Sequence, residues 1–211
     1  AAFGLALSAA PGGGAPAVVS GPTAGMPAQA ERGIVQWMER LHSAPCQRSY
    51  TVTFVVLSAS GTMASSRIWH ACDGQQQMER VEALSGTPRT VFRRNDEVRT
   101  FLPQSRIVRA DRRESSGLFP RVPLVSGTSI AQFYAARSLG QERVAGLVAD
   151  VVWFKPLDTL RFGYRLWSEQ GTGLVMKLQT LGPDGQVLEQ AAFSELDLNA
   201  SVRVDQLMRM M

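Results

Sequence analysis

Residues 161–198, RFGYRLWSEQGTGLVMKLQTLGPDGQVLEQAAFSELDL, read as three consecutive antiparallel strands. The first spans Arg161–Ser168, the second Leu174–Leu181 and the third Gln186–Phe193. The turn EQGTG places Gly171 and Gly173 where a left-handed backbone costs little. In the next turn, Pro183-Asp184-Gly185, proline presets φ and glycine accepts the left-handed position. A meander without crossover helices implies an antiparallel sheet. Alternation puts Phe162, Tyr164 and Leu166 on one face, with Arg161, Arg165 and Trp167 on the other. In the second strand Leu174, Met176 and Leu178 alternate with Val175, Lys177 and Gln179, as in a sheet with one wet face. The apolar face needs a cover. Few helical segments exist to supply it, and an incompletely covered apolar concavity can hold a greasy ligand.

The chain has 211 residues and is 45% hydrophobic, enough for a sizeable core. A net charge of +4 and a pI near 9.6 fall short of the dense basic footprint of a nucleic-acid binder, so no nucleic-acid partner is expected. Lys155 and Lys177 are the only lysines. The arginine excess slightly favours an anionic partner, because guanidinium binds phosphate and carboxylate bidentately; a GC-rich genome would leave the same bias. The opening AAFGLALSAAPGGGAPA reads as the end of a secretory apolar region followed by small residues, or as a flexible leader. As a signal remnant it places the protein in the periplasm or outside the cell. Residues 1–30 are thus read as leader and linker, 31–205 as the folded domain and 206–211 as a tail.

Glu31–His42 reads as an amphipathic helix with Ile34, Trp37, Met38 and Leu41 on one face, stopped by Pro45. Strands follow at Gln47–Leu57, Met63–Ala71, Gln76–Leu84, Arg89–Arg93, Glu97–Leu102 and Gln104–Ala110. Cys46 and Cys72 flank the first hairpin. If positions summing to 118 pair, the two cysteines face each other, and in an oxidising compartment they form a disulfide. Closing that loop contributes about 3 kcal/mol in the chain-entropy model. The alternative is a zinc site from His42, Cys46, His70 and Cys72, but that spacing matches no common ligand pattern, and no metal is expected. Residues 111–127, with two prolines and three arginines, break the pattern and read as a lid-like loop or a plain connector. Thr128–Leu139 reads as a helix with Ser129 as N-cap and Ile130, Phe133 and Tyr134 on its apolar face. Strands Gln141–Val144 and Leu147–Lys155 then flank the turn Ala145-Gly146, and Val202–Met210 reads as a short helix. With two histidines and no nucleophile, metal, P-loop or dinucleotide motif, the sequence gives no reason to expect an enzyme or a cofactor.

The segments YRLWSEQGTGLVMKLQTLGPDGQVLEQAAF (164–193), RRNDEVRTFLP (93–103) and FYAARSLGQERVAGLVADVVWFKP (133–156), with the signal-like start, carry a resemblance. Over about residues 31–205 the chain resembles the MucB/RseB family, periplasmic negative regulators of the envelope-stress sigma factor. The resemblance implies an α+β fold. Its centre is a strongly curved antiparallel β-sheet, a half-barrel like LolA and LolB, with a few helices covering the concave face. It implies binding of the periplasmic domain of a membrane anti-sigma factor and protection of that partner from site-1 proteolysis. Lipopolysaccharide or another acylated lipid would be sensed in an apolar groove. It also implies a second, smaller C-terminal domain outside these residues. The alternative on the same fold is a periplasmic lipoprotein or lipid carrier. Wall candidates for the groove are Phe54, Phe92, Phe101, Leu118, Phe119, Phe133 and Met176. Arg109, Arg112 and Arg113 are candidates for an anionic head group, and a homo-oligomer is left open.

Overall fold

The computed structural model describes residues 32–74, 76–112 and 128–211. Helix α1 (Ile34–Ser43) is followed by a 3-10 turn at Ala44–Gln47. Six strands come next: β1 (Tyr50–Ser58), β2 (Met63–Cys72), β3 (Gln77–Ala83), β4 (Thr90–Arg94), β5 (Glu97–Leu102) and β6 (Ile107–Arg112). A 3-10 turn at Thr128–Gln132 precedes β7 (Tyr134–Val144), β8 (Leu147–Pro156), β9 (Gly163–Glu169), β10 (Val175–Leu181) and β11 (Val187–Asp197). Helix α2 (Val204–Arg209) ends the order.

All eleven strands form one curved, open antiparallel sheet in the order β6-β5-β4-β3-β2-β1-β11-β10-β9-β8-β7. Two meanders, β1–β6 and β7–β11, are joined where β1 pairs β11, from Thr51↔Asp197 to Ser58↔Glu189. No periodicity in either meander announces that junction. It is a long-range pairing, and its register shift between Thr53 and Phe54 marks a bulge. The curved antiparallel architecture with few helices matches the expected fold class.

Four local expectations are corrected. Residues 134–139 are strand, not helix: β7 pairs β8 from Tyr134↔Pro156 to Val144↔Leu147, and a ladder of that length overrides the helical spacing of Ile130, Phe133 and Tyr134. The turn that closes it is as read, with positive φ at Ala145 and Gly146. Phe162 lies outside β9 and is exposed, and its carbonyl accepts the Tyr134 hydroxyl at 3.1 Å. Of Gly171 and Gly173, only Gly173 is left-handed, at φ 83°. A Cβ there would also come within 2.9 Å of Arg40 Cγ.

The fourth correction concerns the faces. Leu166 and Trp167 are neighbours on β9, yet both are buried, in different clusters. β9 therefore has no wet face. A register shift between Val175 and Lys177 splits the expected row on β10: Leu174 and Met176 join the Trp167 cluster, while Leu178 joins the Leu166 cluster.

The core includes three tyrosines, and their burial sets an alkaline limit. Burial, followed by the neighbouring Tyr134, pushes the Tyr164 hydroxyl up to about 12. Burial likewise raises Tyr50 well above its ordinary value and raises Tyr134. A phenol harder to ionise when folded stabilises the protein below the unfolded value near 10. That contribution is lost as pH rises through the folded value. The urea midpoint should therefore hold to about pH 10 and fall from there toward about pH 12. Tyr164→Phe should make the fall shallower; an equally steep fall in that variant would remove Tyr164 from the explanation.

Candidate functional site

Helix α1 is built to cover. Ile34, Trp37 and Met38 are buried at helical spacing against Tyr134, Val152, Phe154, Tyr164, Leu166 and Leu178 of β7–β10. Gln36 Oε1 accepts the Gly33 amide at 3.2 Å, half of a capping box, since Gly33 has no side chain to reciprocate. At the other end Arg40 Nη2 donates to the carbonyls of Glu169 and Gln170 at 3.1 and 2.6 Å, tying α1 to the β9–β10 turn. Glu169 holds that turn: its carboxylate accepts the amides of Gly171 and Thr172 and the Thr172 hydroxyl. Burial pushes the Glu169 carboxyl up, but these bonds and Arg40 together outweigh it and hold the group below the usual carboxylate range. A groove of about 460 Å³ lies here, lined by Arg32, Gln36, Arg40, Ser43, Gln47 and the Gly171–Thr172 turn.

A buried polar chain crosses β2, β3 and β4. His70, fully buried, meets Glu79 Oε1 through Nδ1 at 3.0 Å and the Pro45 carbonyl through Nε2 at 2.8 Å. The Pro45 carbonyl can only accept, so Nε2 carries an N–H toward it, while Nδ1 faces the Glu79 carboxyl. Arg93 Nη1 stands 3.5 Å from Glu79 Oε2, and Tyr50 stacks on the imidazole at 4.5 Å. With both nitrogens engaged, His70 has none for a metal, and His42 is exposed on α1.

The first hairpin pairs with a sum of 120, as in Tyr50↔His70, not 118. A shift of two residues preserves the faces, because side chains alternate with period two. Cys46 lies in the 3-10 turn, so strand arithmetic does not reach it. The two thiols are unbonded, but they are neighbours: after partial burial, the Cys72 thiol helps push the Cys46 thiol up.

A second cover lies on the other side of β2. Leu207 of α2 is buried with Ala71, Met78 and Phe92, and Trp69 packs beside them. The Trp69 ring carries Arg80 at 4.5 Å and Arg67 at 5.8 Å. Arg80 and Trp69 line a cavity of about 390 Å³ together with Val202, Gln206, Leu207 and Met210. The sequence reading passed over this aromatic–arginine cluster. Its signal is the β2–β3 register, which sets Trp69 opposite Arg80 and becomes readable only once that pairing is known.

The sequence of residues 34–211 matches the family model described as the MucB/RseB N-terminal domain. The chain belongs to the MucB/RseB family. Among its relatives, the sigma factor AlgU regulatory protein MucB of Pseudomonas aeruginosa is 32% identical over 86% of this chain and 56% of its own length. The sigma-E factor regulatory protein RseB of Haemophilus influenzae is 23% identical over 74% of this chain and 49% of its own. In the complex structure of Pseudomonas aeruginosa MucA/MucB, the matched chain superposes with a TM-score of 0.67 at 32% identity, covering 82% of this chain and 59% of that one. The chain thus spans about half the length of the curated relatives it matches.

In this MucB/RseB domain the described apolar residues singled out from sequence are spread over three clusters. Phe54 and Met176 are buried in one cluster. Phe92 and Phe101 meet edge to face at 5.6 Å in the α2 cluster. Phe133 packs at the margin of the α1 cluster under the Arg161 guanidinium, 4.1 Å from the ring centroid. Arg109 and Arg112 are exposed on the edge strand β6, beside exposed Ile107 and Val108. Leu118, Phe119, Arg113 and the rest of 113–127 lie outside the described residues. Neither of the two cavities above is lined by any of the candidates.

Proposed function

We propose that this chain is the N-terminal domain of a periplasmic regulator that binds the periplasmic part of a membrane anti-sigma factor. One observation carries the reading: 32% identity along 86% of the chain to a protein named as a sigma factor regulator. The likeness to MucB in its complex with MucA supports it. The proposed role is that of a binding module, with no reaction assigned to any residue. Binding would shield the partner from the protease that begins its degradation. The outer edges of β6 and β7, where the open sheet ends, give an extended partner segment backbone groups to pair with.

Acylated lipid, as in lipopolysaccharide, is the proposed releasing ligand. The apolar clusters are packed by the protein's own side chains, so an acyl chain enters only where a cover lifts. Helix α1, ten residues held by one apolar stripe and Arg40, is such a cover. Arg109 and Arg112, with Arg113 next in sequence, supply cations for an anionic head group.

Calorimetric titration with the periplasmic segment of the cognate anti-sigma factor should give a Kd of about 1 µM or tighter. Absence of binding at about 100 µM, alongside uptake of lipoprotein from an inner-membrane extractor, would replace the regulator with a carrier. In a second titration, charge reversal at Arg112 and Arg113 should weaken binding of acylated glycolipid fragments. Unchanged affinity there removes the arginines from lipid recognition and leaves the protein partner standing.

A further inference from the structure

The thiol pair has no part in the function proposed above. Cys46 is exposed in the Ala44–Gln47 turn, and Cys72 is half-buried at the end of β2. Two features hold them together. The Pro45 carbonyl, adjacent in sequence to Cys46, accepts His70 Nε2 at 2.8 Å. His70 lies two residues before Cys72 on β2, and residues two apart on a strand share a face. The nearness of the two thiols is therefore set by a part-buried hydrogen bond between the turn and β2, not by a mobile surface encounter.

We propose that Cys46 and Cys72 form a thiol–disulfide exchange site whose oxidised state bridges the Ala44–Gln47 turn to β2 and pins the C-terminal end of α1 to the sheet. The proposal is tested without partner or lipid, although it acts on α1, the cover whose lifting the lipid reading needs. α1 runs without a gap into the turn that carries Cys46, so a bond at that position fixes the helix end. Without the bond, α1 is held by its apolar stripe and by Arg40.

The chemistry needs a disulfide oxidant, RSSR. The exposed Cys46, as thiolate, attacks one sulfur of RSSR; the other sulfur leaves and takes up a proton as RSH. Cys72, deprotonated in turn, attacks Cys46 Sγ and expels the second RSH. Two electrons and two protons pass from the protein to the oxidant, which ends as two thiols. Partial burial first, then the Cys72 thiol and the Glu79 carboxylate, raise the Cys46 thiol above its ordinary value. Such a thiol is a slow nucleophile at neutral pH, which suits a bridge made once and kept, not an oxidoreductase that turns over.

The test uses the full chain, reduced with dithiothreitol and then equilibrated with oxidised glutathione. Oxidation should remove both free thiols, leave a monomer lighter by two hydrogens, and yield a peptide linking Cys46 to Cys72. Amide hydrogen exchange across residues 34–43 should be about tenfold slower in the oxidised than in the reduced chain. Cys46→Ser and Cys72→Ser should abolish that difference. The reduced and re-oxidised wild type carries the test even if a variant misfolds. A stable glutathione adduct on Cys46 with Cys72 free, a disulfide-linked dimer, or equal exchange of α1 in both redox states would each overturn the proposal.

Discussion

Replacing Glu79 by alanine should lower the unfolding free energy by about 3–5 kcal/mol, the range for breaking a buried ion pair from one side. Glu79 and Arg93 are each 5% exposed, and His70 is not exposed at all. The carboxylate stands between the imidazole at 3.0 Å and the guanidinium at 3.5 Å. Its removal leaves two donor groups in low dielectric without the charge they were folded around. Burying an ion pair is not itself strongly stabilising, because desolvation offsets most of the attraction. The same logic gives a control. Substituting all three members together (His70→Phe, Glu79→Leu and Arg93→Met) should recover most of the loss, since apolar replacements of similar size remove the desolvation cost with the charges. Urea unfolding of the single and triple variants decides it. A Glu79→Ala loss below about 1 kcal/mol would show that the chain is solvated in solution.

Trp167→Ala should cost about 3–5 kcal/mol, the usual range for emptying a large aromatic site in a core. Trp167 is 2% exposed. It packs with Val151, Leu174, Met176 and Phe193, so the cavity would open among four strands that cannot all relax together. Its Nε1 also donates to Glu142 Oε2 at 2.7 Å, and Lys177 Nζ lies 4.1 Å from the ring centroid. For a domain of this size the melting temperature should drop by about 6–20 °C. Trp167→Phe should lose less, because it keeps most of the volume and forfeits the indole hydrogen bond. If alanine and phenylalanine cost the same, the hydrogen bond and not the cavity governs the site.

Trp167 also shows where sequence reading stopped. The alternation of RFGYRLWS placed it with Arg161 and Arg165 on a wet face. Period two says that Trp167 and Leu166 point opposite ways, which is correct. It does not say what waits on either side. Helix α1 closes over Leu166 while side chains from other strands close over Trp167, and only the packed molecule contains both. The same limit applies to β7. Ile130, Phe133 and Tyr134 stand at helical spacing, and all three do pack at the α1 cluster, but on a 3-10 turn leading into a strand. The spacing recorded which residues go inside and not the backbone that takes them there. The described groove candidates are spread over three clusters for a related reason: an apolar side chain in a core and one in a ligand wall look alike in sequence.

The local order of strands, the turns at Ala145-Gly146 and Pro183-Asp184-Gly185, the amphipathic face of α1 and the antiparallel class were all written in the chain. Each rests on neighbours within a few residues, where φ preferences and side-chain periodicity act directly. The joining of β1 to β11, the covering of both faces and the His70–Glu79–Arg93 chain were settled only by the folded molecule. These contacts link residues up to more than a hundred positions apart. Local propensity carries no term for them; they form because burying two apolar faces outweighs the entropy of closing long loops.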